Sequence, residues 1–317
     1  MKRRFTRWLS HALAACLLLS GTVAAEPLER LRIGFQKSSV SMVLAREHRL
    51  LEQALPGTSI EWIEFPGGPQ LIEALNGGSI DVGNIGDIPP IFAQAAGSEL
   101  RYIGVEPSDG RTEAILVPAA SPARTLADLK GKRVGLLKGS SAHNLLLKSA
   151  QQAGLALSDL QLAYLTPADA RAAFEQGKLD AWVIWDPYYS AALLDGSARL
   201  LSDGQQLNPS GTYYIASLAF IQRHAATVGP ILDAFARAQR ISLEQRDDSV
   251  ERMTRALGLQ RAVVQRYFDH RSSARVQPLD QQTIDNQQRT ADLFFANHLI
   301  PRQVRVQDIV WQPNAPQ

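Results

Sequence analysis

The chain has 317 residues, with 33 Lys and Arg against 31 Asp and Glu, giving a formal net charge of +2, and it contains one cysteine. This length exceeds one typical domain and allows a large core, so two lobes are expected. A single cysteine excludes an internal disulfide framework and a cysteine-rich metal site. The near-neutral charge gives no support to a nucleic-acid partner.

The first segment reads as an export signal. Lys2, Arg3, Arg4 and Arg7 form a basic start, residues 13–19 supply an apolar stretch, and Val23-Ala24-Ala25 is a small-residue cleavage site. The apolar run is too short to span a bilayer. Cleavage after Ala25 removes four basic and no acidic side chains, which turns the net charge negative. Leu13-Ala14-Ala15-Cys16 is a competing lipoprotein cleavage box, but Leu17-Leu18-Leu19 lies beyond that cysteine and His11 interrupts the stretch before it. The soluble form is therefore preferred. It lacks cysteine altogether, which excludes disulfides, zinc–thiolate sites and thiol nucleophiles.

Beyond the signal, short strands alternate with helices. Strands are expected at 31–35, 60–65, 80–83, 100–105 and 114–117, with helices over 39–55, from 70 and near 91–96. The pattern restarts at Lys132. A strand at 134–137 precedes a helix at 142–153, and a strand at 160–165 precedes one opened by Thr166-Pro167-Ala168-Asp169. A strand at 180–185 then leads to a helix starting at Pro187. Past Ile221 the pattern is almost wholly helical, at 231–243, 263–268 and 292–297, and this tail is expected to pack on the first lobe. The fold class is α/β, with two lobes each built on a mostly parallel sheet flanked by helices. Hinge strands are expected near Leu116-Val117 and Tyr214-Ile215, which gives a signal at 1–25, one lobe of 26–117 plus 215–317, and a second of 118–214.

Three strand-to-helix junctions are rich in donors: Gln36-Lys37-Ser38-Ser39, Pro66-Gly67-Gly68-Pro69-Gln70 and Lys138-Gly139-Ser140-Ser141-Ala142-His143-Asn144. Helix starts carry unpaired N–H groups and attract anions. Taken singly, Ser38 and Ser140 read as caps; together, the junctions point to a pocket for a small oxyanion. The third junction lacks the glycine–lysine–serine/threonine ending of a phosphate loop, so nucleotide binding is rejected. The histidines show no metal-ligand spacing, and no metal or cofactor is expected.

On Arg32-Ile33-Gly34-Phe35-Gln36-Lys37, Glu64-Phe65-Pro66-Gly67-Gly68-Pro69-Gln70, the run 86–95, the run 138–147 and the long run 164–194 with Trp182-Val183-Ile184-Trp185-Asp186-Pro187-Tyr188-Tyr189, the chain resembles the aliphatic sulfonate-binding proteins of ATP-binding-cassette importers. The resemblance covers nearly all of the mature sequence. It implies a monomeric, periplasmic, type II-like two-lobed binding protein that passes alkanesulfonates to a permease and its ATPase for sulfur uptake. Related proteins carry taurine, nitrate, aromatic sulfonates or sulfate esters. Where the family has Gly-Ser-Thr-Gly-Asp, this chain has Gly83-Asn84-Ile85-Gly86-Asp87, and Ile85 cannot donate a hydrogen bond.

A sulfonate is a permanent anion with three acceptor oxygens, so its pocket should be rich in donors and free of nearby carboxylates. Gln36, Ser39, Gly68, Pro69, Gly86, Gly139, Ser140, Ser141 and Asn144 are the candidate head-group residues. His143 could donate as well or be structural. Asp87 and Asp186 are read as helix caps first and ligand contacts second. Trp185, with Tyr188, Tyr213 and Tyr214, could line the alkyl tail. An enzyme on this scaffold is disfavoured: the pyrimidine synthases that resemble it carry a cysteine-rich segment, and the chain has no Gly-x-Ser-x-Gly elbow or His-Glu-x-x-His. A ligand-dependent sensor would differ only in its docking partner.

Overall fold

A computed structural model of the chain describes residues 27–207 and 211–313. The expected signal, its cleavage site and Cys16 lie outside the described residues. The first half runs β1 (Arg30–Phe35), α1 (Val40–Glu47), α2 (Leu50–Ala54), β2 (Ser59–Glu64), α3 (Gly68–Asn76), β3 (Val82–Ile85), α4 (Ile88–Ala96) and β4 (Leu100–Glu106). The second half runs β5 (Glu113–Pro118), β6 (Arg133–Leu136), α5 (Ser141–Gln152), β7 (Gln161–Tyr164), α6 (Pro167–Glu175), β8 (Ala181–Trp185), α7 (Tyr188–Leu194) and β9 (Ala198–Asp203). The chain then returns through β10 (Thr212–Ser217) and continues as α8 (Leu218–His224), α9 (Val228–Glu244), α10 (Arg246–Leu257), α11 (Arg261–His270) and α12 (Gln281–Ala296).

These strands make two five-stranded sheets of matching design, ordered β2-β1-β3-β10-β4 and β7-β6-β8-β5-β9. In each, helix crossovers join the strands of a parallel trio. The fourth strand, β10 or β5, runs antiparallel to both neighbours. Both sheets are therefore mixed, with one reversed strand apiece. The reversed strands are the two that enter directly from the other sheet.

Each sheet is covered on both faces, which is why the strands read as nearly continuous apolar runs. Strand alternation sends Tyr214 and Ala216 of β10 into one core with Leu31, Phe35 and Phe235, and Tyr213 and Ile215 into another with Ile85, Tyr102 and Phe294. In β8, Val183 and Trp182 divide the same way between the two cores of the second sheet. The helical tail packs on the first sheet, as expected: Phe235 and Phe268 join one of its cores, Ile284 and Phe294 the other.

Three expectations need correction. The helix anticipated over 39–55 is broken at Arg49, whose φ of 53° is left-handed, so two shorter helices form. The final helix is sixteen residues long rather than a turn or two, because buried Ile284, Gln287, Thr290, Ala291 and Phe294 extend its inward face. The residues expected to form the hinge lie inside strands. Glu113–Pro118 pairs within the second sheet and Thr212–Ser217 within the first, so the chain leaves the first sheet after Glu106 and the second after Asp203. These crossings touch: the Gly204 amide donates to the Gly110 carbonyl at 3.0 Å. A Cβ on Gly110 would lie 2.3 Å from the Gly204 carbonyl carbon, and its φ of 85° suits only glycine.

Candidate functional site

A cavity of about 140 Å³ lies between the sheets, at the carboxyl ends of β1, β3 and β8 and where β6 passes into α5. The first lobe contributes Gln36, Ser39, Gly68, Asn84, Gly86 and Asp87. The second contributes Glu113, Ser140, Ser141, Asn144, Leu145, Lys148, Trp185 and Asp186. The strand ends beside the crossings add Glu106 of β4 and Thr212 of β10, and the helical tail adds Tyr267 and Arg271.

The donor-rich junctions meet here from both sides. Ser39 caps α1 by accepting the Met42 amide at 3.4 Å, and Gln36 Nε2 donates to the Asn84 carbonyl at 3.3 Å. At α5 the Ser140 hydroxyl donates to the Leu137 carbonyl at 2.7 Å instead of capping the helix. The Ser141 and Ala142 amides donate to no backbone acceptor among the described residues. Asn84 is 2% exposed, lines the cavity, and its Nδ2 has no acceptor among the described residues. A buried unpaired amide donor is costly unless something else accepts from it.

Several expected residues point elsewhere. The Gly139 amide donates to His143 Nδ1 at 3.3 Å, and neither residue lines the cavity. His143 is fully buried, with its ring against Tyr164 and Phe294. Burial, with a smaller push from Lys138, lowers its pKa to about 4, so it is neutral. Pro69 takes an early position in α3 and does not line the cavity. Tyr213 is core, its ring 5.0 Å from that of Tyr102. Tyr214 stacks on Phe235, and Tyr188 packs near Trp182. Of the expected aromatic group, Trp185 alone is at the cavity, where Tyr267 joins it.

The expectation of a carboxylate-free pocket is overturned, because Asp87, Glu106, Glu113 and Asp186 all line it. Most are held by partners. Glu106 Oε1 accepts from Arg271 at 2.5 Å, and Glu106 Oε2 from the Tyr214 hydroxyl at 3.3 Å. Asp186 Oδ2 accepts from His270 Nδ1 at 2.7 Å, while its Oδ1 accepts the Ser190 amide at 3.0 Å in the first turn of α7. The capping expectation therefore holds for Asp186. It fails for Asp87, which makes no cap bond to α4. Pro89 and Pro90 remove two amides there, and Asp87 Oδ2 instead accepts from Asn144 Nδ2 of the opposite lobe at 2.5 Å.

Glu113 is the remaining carboxylate. Burial, and secondly the charge of Asp87, push its pKa up to about 7, against the opposing pull of the Ser141 hydroxyl and Lys148. Burial lowers Lys148 in turn, while Asp87 and Glu113 hold it up. Glu113, Lys148, Arg271, Tyr267 and Asn84 were not among the candidate residues. Lys148 was readable: Ser141, Asn144, Leu145 and Lys148 fall at helical spacing on one face of α5. Arg271 and Tyr267 arrive only through docking of the tail, which periodicity does not orient.

A family model described as the NMT1-like family matches residues 24–257. The chain is 51% identical over 304 residues to an aliphatic sulfonates-binding protein of Escherichia coli K12, with 95% of each chain covered. It is similar to the alkanesulfonate-binding protein SsuA from Xanthomonas axonopodis pv. citri bound to MOPS, at 51% identity and a TM-score of 0.88, covering 91% of this chain and 99% of that one. The periplasmic aliphatic sulphonate binding protein SsuA from Escherichia coli superimposes with a TM-score of 0.84 at 50% identity, covering 91% and 94%.

Proposed function

We infer the function of this chain from its membership: it belongs to the NMT1-like family, alongside the aliphatic sulfonate-binding proteins. It binds an alkanesulfonate in the interlobe cavity and delivers it to an ATP-binding-cassette permease. The observation that carries this reading is the convergence of helix-start amides from both lobes, with the unpaired Asn84 amide, on one small cavity. Gln36, Ser39, Gly68, Gly86, Ser140, Ser141 and Asn144 surround the head group, with Asn84 added to them. Trp185, Leu145 and Tyr267 face the alkyl tail. Hydrogen bonds to a charged group contribute about 1.5–3 kcal/mol each, so roughly five support micromolar or tighter binding after ordering costs.

The lobes hinge where the chain passes between the sheets, beside Gly110 and Gly204, and ligand contacts to both lobes favour the closed form. The protein works as an exported periplasmic monomer, its signal removed after Ala25. Among the described residues no helix is long and apolar enough to cross a membrane. It releases its ligand chemically unchanged. The acidic lining favours one second reading, a sulfonate that also carries an ammonium, such as taurine.

Isothermal titration tests the assignment with alkanesulfonates of increasing length, taurine, sulfate and nitrate. The buffer must contain no sulfonate group, since a sulfonate buffer would compete for the same cavity. Saturable heat with alkanesulfonates and none with nitrate is expected. Silence with every sulfonate sinks the assignment.

A further inference from the structure

We propose that Glu113 meets the bound anion as a neutral carboxylic acid whose hydroxyl donates to it, so that sulfonate binding takes up one proton from solvent. The inference rests on the sulfonate reading of the same cavity and names a specificity-determining residue within it.

Position is the first argument. Glu113 opens β5 at the cavity wall, which Ser141, the residue that begins the donor corner of α5, also lines. A guest accepting from the Ser141 amide is therefore placed beside the Glu113 side chain. Sulfonate oxygens are acceptors only. An ionised Glu113 would set acceptor against acceptor and charge against like charge, whereas its acid form adds a donor.

The charges around the group supply the second argument. Across the cavity, Glu106 is paired with Arg271, and beyond Trp185, Asp186 is held by His270. The turn before α4 contributes Asp87, and α5 contributes Lys148, which in turn feels Arg289 on α12. Apart from those partnered groups, the charges bearing on Glu113 are those of Asp87 and Lys148, so an ionised Glu113 leaves negative charge in excess. An arriving anion makes that excess of negative charge worse, and one proton on Glu113 offsets it.

The third argument is that little work is needed. Burial and Asp87 already keep the Glu113 proton on to about pH 7, and a neighbouring anion shifts the balance further the same way. An alkanesulfonate has no proton of its own near neutral pH, so any proton taken up belongs to the protein. By linkage, affinity is constant below the free-state pKa and falls by up to about tenfold per pH unit above it.

The test is titration calorimetry of the full mature chain with butanesulfonate at pH 6.0, 7.0, 8.0 and 8.5. Each pH uses two amine buffers of different ionisation heat, which reads proton uptake directly. Wild-type protein should take up close to one proton at pH 8, with Kd rising by about tenfold from pH 7.5 to 8.5. Glu113→Gln should show no uptake, a flat Kd, and tighter binding than wild type at pH 8.5. Binding by wild type without proton uptake overturns the proposal whether or not the variant folds, and leaves the sulfonate assignment standing. Absence of heat at every pH defeats the assignment itself. Taurine separates the alternative: if Glu113 is ionised against the ammonium, taurine binds without proton uptake and Glu113→Gln weakens it, and that pattern repeated with butanesulfonate refutes the proposal.

Discussion

Replacing Gly86 by alanine tests whether the two lobes close on each other at the ligand. Gly86 belongs to the first lobe, and a Cβ built on it lies 3.1 Å from Ser141 Cβ and 3.4 Å from Ser141 Oγ of the second. Ordinary contact begins near 3.4 Å, so Ser141 must yield by a few tenths of an ångström. Gly86 is not in the left-handed backbone region, so alanine adopts its conformation without strain. Overpacking costs typically about 1–3 kcal/mol, and so slight an overlap with a small side chain places this case near 1 kcal/mol. Because the contact crosses the lobes, the cost falls on the closed form alone and weakens Kd by about fivefold. Gly86→Val, with two more methyl groups, should exceed that severalfold. The ligand-free protein should not be destabilised, since alanine also restricts the unfolded chain by about 0.4–1 kcal/mol. Titration calorimetry and ligand-free thermal melts read the two effects separately. An unchanged Kd, or a fall in ligand-free Tm with no loss of affinity, refutes the reasoning.

Asn84→Asp replaces an unpaired buried donor with a charged acceptor, and binding of butanesulfonate should weaken by at least about 10-fold, the equivalent of one lost charged hydrogen bond; calorimetry at pH 7.5 checks it. Ile85→Thr should leave Kd unchanged and lower stability by about 1–3 kcal/mol, because Ile85 is fully buried in the first-lobe core and a hydroxyl there is poorly housed; urea midpoints decide. His143 is neutral in the fold at a pKa of about 4, whereas an unfolded histidine titrates near 6.5. The unfolded chain therefore binds the extra proton, and stability falls by roughly 3 kcal/mol as pH drops from about 6.5 to 4. His143→Leu should lose that part of the slope in urea titrations between pH 7 and 4.5, and parallel curves for the two proteins would contradict the account.

The sheets were legible because their strands are short, apolar and separated by helix signals, so alternation and capping agree, as at Thr166-Pro167-Ala168-Asp169, where Thr166 does accept the Asp169 amide. The reversed strands were harder. β10 contains Tyr213 and Tyr214, which look like cleft aromatics in one dimension, yet both are fully buried on opposite faces of a central strand. The residues expected at the hinge fell inside β5 and β10 for the same reason: apolar runs mark strands but not the sheet they join. Pro107, Gly110 and Gly211 were better markers, since they interrupt the runs where the chain crosses. For the cleft, junction chemistry found Gly68, the serines and Asn144, while Gly139 turned to His143, which was lost to the core because a first-turn position does not fix which way a side chain turns.

The acidic groups in the cleft carry the more general point. A carboxylate near an anion site is disqualifying only if its charge is free to act on the guest. Glu106 faces Arg271, which is 8% exposed, so the two present a closed pair whose field falls off quickly, while Asp186 is held by hydrogen bonds with His270 and the Ser190 amide. Those pairs also span structural units. Arg271 follows α11 and reaches Glu106 at the start of a crossing, and His270 reaches Asp186 in the second lobe. Separating the lobes exposes the second pair to water, where it is worth little, while the Glu106–Arg271 pair stays within the first-lobe side. The His270–Asp186 hydrogen bond thus favours closure at that edge, and ligand-binding donors favour it at the α5 corner. Sequence composition balances the charges only in total. Their local cancellation depends on the tail helix returning to the crossing, and that return makes an acidic lining compatible with a negatively charged guest.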